Sequence, residues 1–152
     1  MLKAQCSMTK VWTVTLLAVG IWSLAIGHRA LNAQSARTSW DGVYTEAQAA
    51  SGDKLYAANC AACHGEGMRG GPGAPNLSGP EFQFSWNKKT VAGLFDYAKA
   101  FMPPGQAGSL SDAQYADLIA ALLKVNGFPA GAGDLPSTKA DLDAITILTT
   151  KP

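Results

Sequence analysis

The chain has 152 residues, enough for one domain, with 12 Lys+Arg against 11 Asp+Glu and a formal charge of +1. From Gln34 onward it holds nine of the cations and all eleven acids, a net −2. A balance so near zero gives no concentrated basic face, which excludes nucleic acid as a partner and leaves a protein partner unidentified by sign.

At the start, Lys3 and Lys10 frame an apolar run from Val11 to Ile26, which gives way to His28, Arg29 and Asn32. Basic start, apolar centre and small exit residue are the order of a secretory signal. As a helix the run would reach about 24 Å at ~1.5 Å per residue, short of the ~30 Å hydrocarbon core. The pattern predicts a signal peptide over residues 1–33, cleaved after Ala33, with Gly27 a poorer exit because it abuts the run. An uncleaved anchor is the alternative, since such length limits are soft. Cys6, His28, Trp12 and Trp22 all belong to this leader. Cys6 precedes the apolar run, so it is not placed for lipid attachment at a new N-terminus.

A polar lead-in, 34–44, comes next. Thr45-Glu46-Ala47-Gln48 has the form of a capping box and predicts a helix to about Asn59, with Gln48, Gly52, Leu55, Tyr56 and Asn59 at helical spacing. A glycine inside a helix costs about 1 kcal/mol against alanine, so Gly52 points to close approach by another element.

Cys60-Ala61-Ala62-Cys63-His64 follows. Two thiols two residues apart, with a histidine directly after, are the attachment signature of a c-type haem. Each thiol adds to a vinyl group, a short helical turn spaces the sulfurs, and the imidazole lies beneath the porphyrin, where it can bind iron. A closed zinc site needs four ligands, and the only other cysteine and histidine, Cys6 and His28, lie in the leader. A thioredoxin-type motif should sit in a βαβ pattern, which is not visible here. A disulfide between cysteines this close would gain little from loop closure.

Six glycines and three prolines between Gly65 and Pro80 predict an irregular loop that can lie along the porphyrin edge. Pro75 is either an ordinary turn proline or the source of the carbonyl that an iron-bound histidine needs for its other ring N–H. Phe82, Phe84 and Trp86 read as core, which in a haem protein is also the pocket; the Trp86 indole N–H can turn toward a propionate. Thr90 opens a second helix with Val91, Leu94, Phe95 and Ala98 on one face. It stops at Met102-Pro103-Pro104, where a residue before proline is driven out of the α region, leaving Met102 in an extended strap. Ser111-Asp112-Ala113-Gln114 is a second capping box. The stripe Tyr115, Leu118, Ile119, Leu122, Leu123 then runs to Gly127 and Pro129. The remaining residues, 128–152, form a C-terminal extension with a short helix from Ser137, either packed back on the domain or loose.

Without the leader the chain has one histidine, His64, and two methionines, Met68 and Met102. Bis-histidine ligation is excluded by arithmetic. Met68 is four residues from His64 and is expected on the same haem face, whereas Met102 is far enough along to pass round the edge. His64 and Met102 are therefore the expected iron ligands, a pair that raises the potential.

The stretch from Gly52 to about Gly127 resembles the class I cytochromes c. The likeness rests on Gly52 and Tyr56, the Cys60–Gly65 motif, Pro75-Asn76-Leu77, Trp86, Met102-Pro103 and the last helix. It implies an all-α cytochrome c fold, three to four helices wrapped around one haem held through Cys60 and Cys63, with the first and last helices crossing near Gly52. It also implies that the Pro75 carbonyl orients His64, that Met102 binds iron, and that the haem is attached outside the cytoplasm. Ala121 stands where many relatives carry an aromatic, and the expectation is a repacked crossing with Tyr115 or Leu122 compensating. With both axial positions filled, the expected function is single-electron transfer, not catalysis. The expected protein is a periplasmic carrier between a dehydrogenase and a respiratory acceptor, its partners a periplasmic dehydrogenase, an oxidase or another cytochrome. The alternatives are a haem subunit of a quinoprotein-type dehydrogenase or of a membrane-anchored respiratory complex, and, further off, an open-site haem enzyme. The membrane is a partner only if the leader is retained.

Overall fold

The structure is a computed structural model that describes residues 36–152, so the leader over 1–33 and its exit after Ala33 lie outside the described residues. Thr45 starts the first helix, α1 (Glu46–Asn59), its hydroxyl accepting the amide of Gln48 at 3.1 Å. Gln48 does not close the capping box. Its side chain is buried and pairs with Leu135, Nε2 donating to the carbonyl at 3.0 Å and Oε1 accepting the amide at 2.7 Å. A single turn, α2 (Ala61–His64), carries the cysteine motif, and a 3-10 turn follows over Glu66–Met68.

The loop after Gly65 is irregular only as far as Gly79. Pro80 then occupies the first position of α3 (Pro80–Trp86), where its fixed φ suits a helix and its missing N–H costs nothing. Residues two apart on a helix diverge by about 200°, so Phe82 is buried while Phe84 is 92% exposed. The aromatic set is split between core and surface instead of being shared core. Helix α4 (Val91–Phe101), capped by Thr90, ends where expected, and Met102 is extended at φ −122°, ψ 141°. In α5 (Asp112–Val125) the capping box is complete: Ser111 Oγ accepts from Gln114 N, and Ser111 N donates to Gln114 Oε1 at 2.9 Å.

The helices α1 and α5 cross with almost no space between them. A Cβ on Gly52 would lie 1.9 Å from the Asp117 carbonyl oxygen and 3.0 Å from the Ala121 Cβ. The small side chain at Ala121 is therefore met by a glycine, while Tyr115 and Leu122 line the cavity described below.

The tail packs back. Phe128, Leu135, Leu142, Ile145 and Ile147 are all buried. After the short helix α6 (Lys139–Asp143), strand β2 (Ile145–Thr146) pairs in parallel with β1 (Arg37–Thr38). The expected polar lead-in is part of the same core, with Ser39, Val43 and Tyr44 buried and Trp40 edge-on to Phe128 at 5.2 Å. Tyr44 donates to the Phe128 carbonyl at 2.6 Å. The architecture is all-α apart from this two-residue pair, and among the described residues no helix is long and apolar enough to cross a membrane.

Candidate functional site

Helix α2 is short because its work is local. The Cys60 carbonyl accepts the amides of Cys63 at 3.1 Å and His64 at 2.9 Å, one turn that fixes both thiols and the imidazole together. Cys60 and Cys63 are not joined to each other in a disulfide. Cys60 is half-buried, and its thiol is pushed above the usual range by burial and then by the neighbouring Cys63; Cys63 is exposed.

His64 is buried, 7% exposed, and its Nδ1 lies 2.9 Å from the Pro75 carbonyl oxygen. A carbonyl can only accept, so Nδ1 carries the proton and Nε2 keeps its lone pair. The loop that brings Pro75 to this place is tightly framed. Tyr56 donates to the Gly65 carbonyl at 2.6 Å, Gly70 N to the His64 carbonyl at 2.8 Å, and Leu77 N to the Met68 carbonyl at 2.9 Å. Asn126, at the end of α5, accepts from Gly79 N at 2.9 Å and donates to the Leu77 carbonyl at 3.0 Å. Gly71 passes so close that a Cβ there would lie 2.3 Å from the Cys63 carbonyl oxygen.

All six residues singled out in the sequence, Cys60, Cys63, His64, Pro75, Trp86 and Met102, line one cavity of about 880 Å³. Its volume is within the range of about 300–1,000 Å³ typical of cofactor clefts. Apolar side chains from three helices form the wall, among them Phe82, Leu94, Leu118 and Ile119. Trp86 stands edge-on to Tyr97 at 5.8 Å with the Lys89 ammonium 5.1 Å over its ring. The tail braces this side, since Lys88 N donates to the Ile147 carbonyl at 2.7 Å and Ile147 N to that of Lys89 at 2.8 Å. Met68 is buried but does not line the cavity. Two thiols, an imidazole nitrogen free of other bonds, one thioether and an apolar wall fit a haem c. A zinc site does not fit: among the described residues no group of three or more His, Cys, Asp and Glu could hold a metal ion.

Residues the sequence reading passed over are Tyr115 and Asn126. Tyr115 was an apolar stripe member there, although its hydroxyl was the available signal; Asn126 was only a helix end.

The motif, the cavity and its lining fit a monohaem c-type cytochrome with its haem c held through Cys60 and Cys63. The family described as cytochrome c oxidase, cbb3-type, subunit III matches residues 47–120. A cbb3-type cytochrome c oxidase subunit FixP from a Bradyrhizobium species is 32% identical over 98 residues, 63% of this chain and 31% of that protein. A cbb3-type cytochrome c oxidase subunit CcoP from Cereibacter sphaeroides is 33% identical over 87 residues, 56% of this chain and 29% of that protein. The chain thus matches about a third of the length of these relatives. The crystal structure of the sulfane dehydrogenase SoxCD from Paracoccus pantotrophus matches with a TM-score of 0.43 and 30% identity, over 59% of this chain and 53% of that one.

Proposed function

We propose that this protein passes single electrons through one haem c, held covalently by Cys60 and Cys63 and ligated by His64 and Met102. The observation that carries the reading is the shared cavity. It gathers the motif residues and one methionine, and leaves the other methionine off its wall. Haem c bound there supplies a one-electron ferric/ferrous couple. The chain's own part is to orient His64 through Pro75, to offer the Met102 sulfur, and to keep water out with apolar side chains. With His64 and Met102 as its ligands the iron would keep no open position for a substrate, and the protein would act as a carrier and not as an enzyme.

The electrons go to a respiratory acceptor from a donor such as a periplasmic dehydrogenase, and the periplasm is the compartment this reading requires. A second reading, a haem subunit of a membrane-anchored respiratory complex, is favoured by the oxidase subunits among the relatives. Carbon monoxide tests the ligand set: the reduced wild type is expected not to bind it and Met102→Ala to bind it readily, and fast binding to the wild type would overturn the assignment. Co-purification with an oxidase through detergent and gel filtration would decide for the subunit over the carrier.

A further inference from the structure

We infer that Tyr115 is a positioning residue for Met102, its phenol clamping the strap from which the sulfur reaches the cavity. The inference rests on the ligand reading above and adds what makes that ligation hold. Pro103 and Pro104 have no N–H to donate, and the strap makes two local turns. Gln106 N donates to the Pro103 carbonyl at 2.9 Å and Ser109 N to that of Gln106 at 3.1 Å. Two further backbone groups of the strap, the Met102 carbonyl and the Gly108 amide, turn to α5. Tyr115 takes both, Oη donating to Met102 O at 2.8 Å and accepting from Gly108 N at 3.1 Å.

The clamp is itself immobile. Tyr115 is 1% exposed and stands edge-on to Phe95 of α4 at 6.0 Å. It lies in the first turn of α5, directly after the Ser111 capping box. Met102 has three rotatable side-chain bonds and a neutral, weakly bound sulfur, so where the sulfur can reach is decided by where the backbone is held. A strap that swings out lets another ligand compete.

Tyr115→Phe deletes one oxygen and keeps the ring. In the holoprotein, the ferric sulfur-to-iron absorption band should weaken and added imidazole should bind about ten-fold more tightly, which at ~1.4 kcal/mol per decade is the scale of one hydrogen bond. Tyr44→Phe is the matched control. It removes an equally buried phenol that bonds a carbonyl, Phe128 O, away from the cavity lining. It should lower the unfolding midpoint but leave imidazole affinity alone. Wild-type imidazole affinity in Tyr115→Phe, or equal gains in both variants, would overturn the clamp. A wild type with no sulfur band at all would instead overturn Met102 as ligand, and the clamp with it.

Discussion

The two segments that carry the proposed iron ligands are secured very differently. Residues 60–79, around His64, are tied by Tyr56 from α1, by Asn126 from α5 and by several amide–carbonyl bonds of their own. Residues 102–110, around Met102, make two local turns. Among the described residues they are hydrogen-bonded to the rest of the molecule at the end of α4 and through Tyr115. The imidazole sits on the redundant frame, and the weakly binding thioether sits on the sparse one. Loss of one bond on the first side is shared among neighbours, whereas on the second it falls on the ligand.

That contrast can be broken or sharpened by substitution. The largest effect is expected from His64→Ala. Its framed loop cannot bring up a substitute, so coloured holoprotein should fail to accumulate, read by the haem spectrum of purified material. Gly52→Ala should act on both segments at once, because the added carbon meets the Asp117 backbone and α1 and α5 hold both straps. Its cost should be about 1–3 kcal/mol in denaturant unfolding, the usual range for overpacking. Asn126→Ala leaves the Leu77 carbonyl and Gly79 amide without their partner and should cost about 1 kcal/mol, the low end for half-buried groups. Its sulfur band should match the wild type; a weakened band would mean the two sides are not independent.

The smallest effect concerns Asp117 beside the helix crossing. Burial raises its carboxyl above the ordinary value, a hydrogen bond with Gln48 works the other way, and Asp134 adds to the rise. A raised native pKa means the folded state holds this proton more tightly than the unfolded one, so stability falls as pH rises through that range. Asp117→Asn should therefore raise the melting temperature slightly at neutral pH. The gain should fade below pH 3.8, the ordinary aspartate value, where the carboxyl is protonated in both states.

Much of the site was legible in the chain. The cysteine–histidine spacing, the methionine before two prolines and the caps at Thr45, Thr90 and Ser111 are local signals, and each stands within a residue or so of its expected place. Helix α3 was missed although Pro80 at its first position announces it; the glycines before it masked that sign. Gln48 looked like half of a capping box because a four-residue pattern carries no information about Leu135, 87 residues away. The same limit hid the role of Tyr115, whose ring satisfies an apolar stripe whether or not its hydroxyl has a task. The tail's two options differed by contacts with residues 37–44, with Gln48 and with Lys88 and Lys89, which no periodicity records.

One consequence of that tail concerns force. Because β1 and β2 run in the same direction, traction on the polypeptide ahead of Arg37 against traction beyond Thr146 slides the strands along each other. The rungs from Arg37 N to the Ala144 carbonyl and from Ser39 N to that of Thr146 are then loaded together instead of peeling singly. Tethered by either end, the cytochrome would resist tension by shear at its seam, with the pigment cavity spared until the seam gives way.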